Sequence, residues 1–169
     1  MLDGLGNLGV GKYKITPKSV VNSAESGIIG TNSRAVVEDV HKIGNIDIEK
    51  FKAITDKKIL TNQVIITDNR IKHIIERRGQ DFYNEYGKYF SDILANPDYI
   101  FKDDKENTAL VSKSFVHKGS TVNLVLRLVV EGENPEYKNS IITAIKESNK
   151  RFAQRLRNNE PVYRVDTNE

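Results

Sequence analysis

The run TVNLVLRLVV, from Thr121 to Val130, decides the fold. Val122, Leu124, Leu126, Leu128 and Val130 share one face of an extended chain, and Thr121, Asn123, Val125, Arg127 and Val129 share the other. Side chains alternate with period two only in a strand, so one face packs while the other carries Arg127. Upstream, Tyr99 to Lys102 and Thr108 to Phe115 (TALVSKSF) have the same period, with turn signals at Asp103-Asp104 and His117-Lys118-Gly119. Together they predict an antiparallel meander. Downstream, after the loop EGENPEYK, Ser140 to Lys146 (SIITAIK) reads as another strand, Ser148 to Arg157 as a short helix and Val162 to Val165 as an edge-like strand.

Before Pro97 the period lengthens. Thr67 and Asp68 supply capping oxygens for RIKHIIERR, which Gly79 ends, and this spacing predicts a helix. Asp81 to Ala95 predicts a second, with Phe82, Tyr86, Tyr89, Phe90, Ile93 and Leu94 as a core-facing stripe and Asn96-Pro97 as its stop. Ile59 to Ile66 is a strand or extended lead, Ile46 to Ile54 a turn of amphipathic structure, and Ala35 to His41 a short helical transition. Helices before a run of strands predict an α+β fold, with N-terminal helices on one face of an antiparallel sheet of four or more strands. Residues 1–45 are expected to be a flexible linker or carrier remnant, and residues 46–169 the folded domain. The glycine-rich GLGNLGVGK within the first part lacks a preceding strand and a Ser or Thr after its lysine, so it reads as a lead-in, not a phosphate loop.

Composition removes several chemistries. The 169 residues contain no cysteine, so thiol nucleophiles, disulfides and cysteine-based zinc sites are excluded. Three histidines, His41, His73 and His117, lack the spacing of a metal site, and Glu76, Asp98 and Asp104 form no paired carboxylates, so neither metal nor cofactor is expected. With a mean hydropathy of −0.50 and no apolar run of membrane length, the chain is expected to be soluble, without a membrane span or a cleaved secretory signal.

Two features point to nucleic acid. On a wheel of about 100° per residue, Arg70, His73 and Arg77 fall within roughly 60° of one another, away from Ile71 and Ile75. Guanidinium groups beside an imidazole oppose its protonation and favour a neutral base, which suits proton abstraction from a ribose 2'-hydroxyl. An ordinary solvated helix face accounts for the same pattern. The second feature is concentrated charge. Lys138 to Arg157 carries six basic residues against the single acid Glu147, a local +5 in a chain whose net charge is +3. Lys146, Lys150, Arg151 and Arg155 are its candidate phosphate contacts. Thr143 is either a β-former or a hydroxyl offered to a phosphate.

The ordered words VIITDNRIKHIIERRG, NPDYIFKD, NTALVSKSF, VNLVLRLVV and NSIITAIKES, followed by RFAQRLR and VYR, resemble the phage and polymorphic-toxin branch of the barnase, EndoU, colicin and RelE-like ribonuclease superfamily, over about residues 46–165. The resemblance implies helices packed on an antiparallel sheet and metal-independent attack of a 2'-hydroxyl on the adjacent phosphate, giving a 2',3'-cyclic phosphate. It implies His73 as the helix histidine and Thr143 as the late strand hydroxyl. Arg77 and Arg78 stand where relatives often carry a second histidine, and Arg127 joins them as a cation for the phosphorane. It further implies a toxin delivered by, or associated with, a phage or carrier protein, acting on RNA, with tRNA among the candidates, in a target cytoplasm and restrained by an immunity protein. A non-catalytic virion or carrier appendage and a simple nucleic-acid-binding module are the alternatives. They are separated from an enzyme by whether His73 and an arginine converge with Thr143.

Overall fold

Residues 39–166 are described in the computed structural model; the glycine-rich lead-in and residues 35–38 of the expected transition lie outside them. The elements run β1 (Val40–Asn45), a 3-10 segment (Ile48–Ile54), β2 (Gln63–Thr67), α1 (Asp68–Arg78) and α2 (Gln80–Tyr86). A 3-10 turn (Gly87–Tyr89), α3 (Phe90–Ala95), β3 (Tyr99–Lys102), β4 (Thr108–Phe115) and β5 (Ser120–Arg127) follow. The chain ends in β6 (Asn139–Ser148), α4 (Asn149–Asn158) and β7 (Tyr163–Arg164). The architecture is the expected α+β one: a seven-stranded sheet in the order β1-β2-β6-β5-β4-β3-β7. All pairs are antiparallel except β2 with β6. Among the described residues, no helix is long and apolar enough to cross a membrane.

The even face of β5 packs as the alternation predicts. Val122, Leu124 and Leu126 are fully buried with Ile71 and Ile74 of α1 and with Tyr86, Phe90, Ile93 and Leu94 of α2 and α3. Burying each of these side chains contributes roughly 2 kcal/mol. Val125, on the odd face, packs instead against Phe101, Leu110 and Phe152, so α4 covers the other side of the sheet.

The structure revises four sequence expectations. Val40 and His41 pair with Thr67 and Ile66 in a strand, not a helix, because β2 otherwise presents an open edge. β1 therefore lies inside residues 1–45, the span expected as a linker. The second helix is split at Gly87, where an added Cβ would sit 3.1 Å from the ring of Tyr83; this close approach and glycine's weak helix propensity allow the 3-10 turn. β5 stops at Arg127, since Leu128 to Val130 turn away to meet Leu60 and Ile59. Finally, a bulge leaves Ile142 without a register partner on β5, and this shifts the alternation of β6: Ile141 is buried with Ala144 on the helix side.

β1 also carries a buried imidazole. His41 Nε2 and Asp68 Oδ1 are 2.8 Å apart, and burial pushes the imidazole down to about 3 from 6.5. Asp68 pulls the other way, but its side chain is 44% exposed and water screens it. Between those two values the unfolded chain binds the proton and the native one does not, so stability is lost as pH falls from 6.5 towards 3. Urea denaturation of the protein at pH 7 and pH 4 should differ by about 3 kcal/mol from this group. His41→Gln should flatten that difference.

Candidate active site

α1 is positioned from both ends. Thr67 Oγ1 accepts from the Arg70 amide at 3.1 Å, Asp68 sits in the first turn, and Gly79, at φ +100°, donates its amide to the Ile75 carbonyl to end the helix. Ile71 and Ile74 anchor it over β2 and β6. His73 is left half-buried at the edge of that contact and Arg77 exposed one turn later. Among the described residues the His73 ring has no hydrogen-bond partner and Arg77 no ion pair, so both are available to a substrate.

Arg78 turns back on the sheet. Its Nε donates to the Ala144 carbonyl of β6 at 2.8 Å, across 66 residues of sequence, and its terminal nitrogens meet no acceptor among the described residues. Two positions along β6, Lys146 lies on the same side as Ala144, with its ammonium 5.8 Å from the centroid of Tyr86. Arg78 and Lys146 are thus tied to β6, whereas His73 and Arg77 lie along the outer edge of α1, away from Ile71.

Thr143 and Arg127 do not join them. Thr143 pairs with Val125, whose side chain belongs to the cluster under α4, so it lies on the face opposite α1. Among the described residues its buried hydroxyl has no partner, and the Ser140 hydroxyl, also buried, has none either. Arg127 is held by Glu133 through two contacts, the shorter 2.6 Å, and also donates to the Leu128 carbonyl. A guanidinium engaged in this way is a structural clamp for the loop after β5, not a free phosphorane cation. The expected convergence of His73 with Thr143 and Arg127 is therefore corrected. Period-two counting missed it because strand alternation cannot say which face a distant helix covers.

The C-terminal basic group divides as well. Lys150 and Arg151 are exposed on α4, whose Ser148 cap accepts from the Arg151 amide at 3.2 Å. Arg155 is committed elsewhere: Nε and Nη2 donate to the two oxygens of Glu147 at 3.0 and 2.7 Å. Asn123 Nδ2 donates to the same carboxylate at 2.8 Å, and Asn123 Oδ1 accepts from Ser112 Oγ at 2.6 Å. The Arg155 contact, with the Asn123 hydrogen bond, holds the Glu147 carboxyl below its usual range. Arg155 is thus a packing residue of α4, which corrects its expected role in binding RNA.

Sequence reasoning also missed a cluster at the β4–β5 turn. Lys118 meets Glu85 at 2.6 Å, and Lys88 stands 5.5 Å over the ring of Tyr89. Lysine and aromatic letters were visible at both places, but nothing local brings residues 85–89 against residues 115–118. Among the described residues, no three His, Asp or Glu side chains come together in a group suited to a metal ion.

The cationic edge of α1 and the exposed lysines of β6 and α4 are suited to electrostatic contact with phosphates. A family model described as phage-Barnase-EndoU-ColicinE5/D-RelE like nuclease2 matches residues 38–164. The chain belongs to this family of phage-type nucleases. The match covers β1 as well as the residues from 46 onward. No curated protein and no solved structure matches the chain.

Proposed function

We propose that this domain is a metal-independent endoribonuclease of toxin type, cleaving RNA by attack of a 2'-hydroxyl on the adjacent phosphate. The observation that supports this most is the single edge of α1 that carries His73 and Arg77, on a helix whose Arg78 reaches the Ala144 carbonyl of β6. His73 is the proton-transfer group: its imidazole has no hydrogen-bond partner among the described residues and takes the 2'-proton as the oxygen attacks. Arg77 and Arg78 neutralise the charge that grows on the phosphorane oxygens, and Lys146 holds a neighbouring phosphate. The P–O5' bond then breaks, the 5'-oxygen takes up through water the proton that His73 accepted, and the product carries a 2',3'-cyclic phosphate. Thr143 and Arg127, on the opposite face, have no part in this reading, and by the convergence criterion their separation from His73 favours the second reading, a non-catalytic appendage or nucleic-acid-binding module that leaves RNA intact. An immunity protein for such a toxin would present acidic side chains to the cationic face, and the cytoplasm of a target cell is where its RNA substrate would be met.

Incubating the purified protein with total RNA in excess EDTA tests this. Discrete RNA fragments are expected. Intact RNA under these conditions, with DNA cut once magnesium is restored, overturns the reading.

A further inference from the structure

The cluster at the β4–β5 turn is an aromatic step surrounded by ammonium groups. Phe115 lies between two tyrosines, its ring centroid 5.2 Å from Tyr86 and 5.3 Å from Tyr89. Tyr86 is buried at the base, but Phe115 and Tyr89 are only half-buried, and Val116, next in sequence, is 79% exposed. Gly119, at φ +62°, closes the turn that presents them. Lys88 stands over Tyr89, Lys146 over Tyr86, and Lys118 is paired with Glu85. Lys118, Lys146 and Lys88 all help to hold the Glu85 carboxyl below its usual range. Three cations around one carboxylate leave an excess of positive charge beside exposed aromatic faces.

We infer that this step is a subsite for unpaired nucleotides of an RNA strand, one base stacking on Tyr89 and Phe115 while Lys88 and Lys146 hold the flanking phosphates. This rests on the ribonuclease reading for its choice of RNA, and it adds that the substrate is single-stranded at the site. The chemistry supports one occupant. A stacked base replaces the Lys88 ammonium on the ring and frees that ammonium for a phosphate, whereas the bases of a duplex are already stacked on each other and cannot offer a face. Lys146 connects the subsite with the candidate active site, because it also stands two residues from the carbonyl that holds Arg78.

Fluorescence anisotropy with a labelled eight-nucleotide oligouridylate and with an RNA duplex of the same length tests the inference. The single strand should bind more tightly than the duplex. Tyr89→Ala should weaken single-strand binding about 10-fold and leave duplex binding unchanged. Lys88→Gln should lower the slope of log affinity against log salt by about one. Circular dichroism confirms that each variant is folded, and Tyr89→Leu, which keeps apolar packing without an aromatic face, should show the same loss if Tyr89→Ala fails to fold. Equal affinity for single strand and duplex, or wild-type binding by the folded Tyr89 variant, overturns the subsite. Cleavage by the same variants separates the two proposals. If RNA is still cut into cyclic-phosphate products while these binding differences are absent, only the subsite falls. If no RNA is cut, the binding measurements still decide the subsite on their own.

Discussion

His73→Ala is expected to slow RNA cleavage by about 10²- to 10⁴-fold, the range for loss of a positioned acid or base. The expectation follows from where the imidazole sits. It rides on a helix fixed by the Thr67 cap, by the burial of Ile71 and Ile74, and by the Arg78 contact with Ala144, so its position does not depend on its own hydrogen bonds. Because His73 is half-buried and has no hydrogen-bond partner among the described residues, its truncation should change unfolding stability by less than about 1 kcal/mol. Steady-state cleavage of a fluorogenic oligoribonucleotide gives the rate, and urea denaturation gives the stability. A rate within a factor of about three of wild type removes His73 from the chemistry.

Glu147→Ala should be the most destabilising of the substitutions considered for this chain, at about 3 kcal/mol. The carboxylate is 8% exposed and accepts three hydrogen bonds, two from Arg155 and one from Asn123. Its removal leaves the fully buried Asn123 amide without an acceptor and the Arg155 guanidinium without a counter-charge. Arg155 can swing partly into water, since its side chain is 31% exposed, which keeps the cost at the lower end for a broken buried pair. The Glu147 carboxyl is held below its usual value, so its contribution is present above about pH 4.5 and is lost on further acidification. The His41 loss begins at higher pH, near 6.5, so the two groups separate along a pH titration of stability. Arg155→Ala should also destabilise while leaving RNA affinity nearly unchanged. The opposite pattern, normal stability with weakened RNA binding, restores Arg155 to the substrate site.

Much of the fold was legible because its strands are long enough to show their period. The β5 alternation separated the two faces of the sheet correctly, and the cap of α1 stood at Thr67 as read. β1 was not legible: VHKIGN has no clean alternation, and its strand state comes from pairing with β2. The parallel β2–β6 contact was equally hidden, since it joins Ile65 to Ser140. For the candidate site, the helix edge of Arg70, His73 and Arg77 was readable from a wheel, and Lys146 from charge density. The fates of Arg127 and Arg155 were not, because each is decided by a carboxylate six or eight residues away. Residue type marks a cation, while only the fold says whether it is already neutralised.

The measurement that bears most directly on the central claim is the chemistry of the cut ends. An oligoribonucleotide cleaved by the protein in EDTA should yield 2',3'-cyclic phosphate and 5'-hydroxyl termini by mass spectrometry, and a single 2'-deoxynucleotide at the mapped cleavage position should abolish the cut. Products ending in 3'-hydroxyl and 5'-phosphate, or undiminished cleavage of the deoxy-substituted strand, would contradict it.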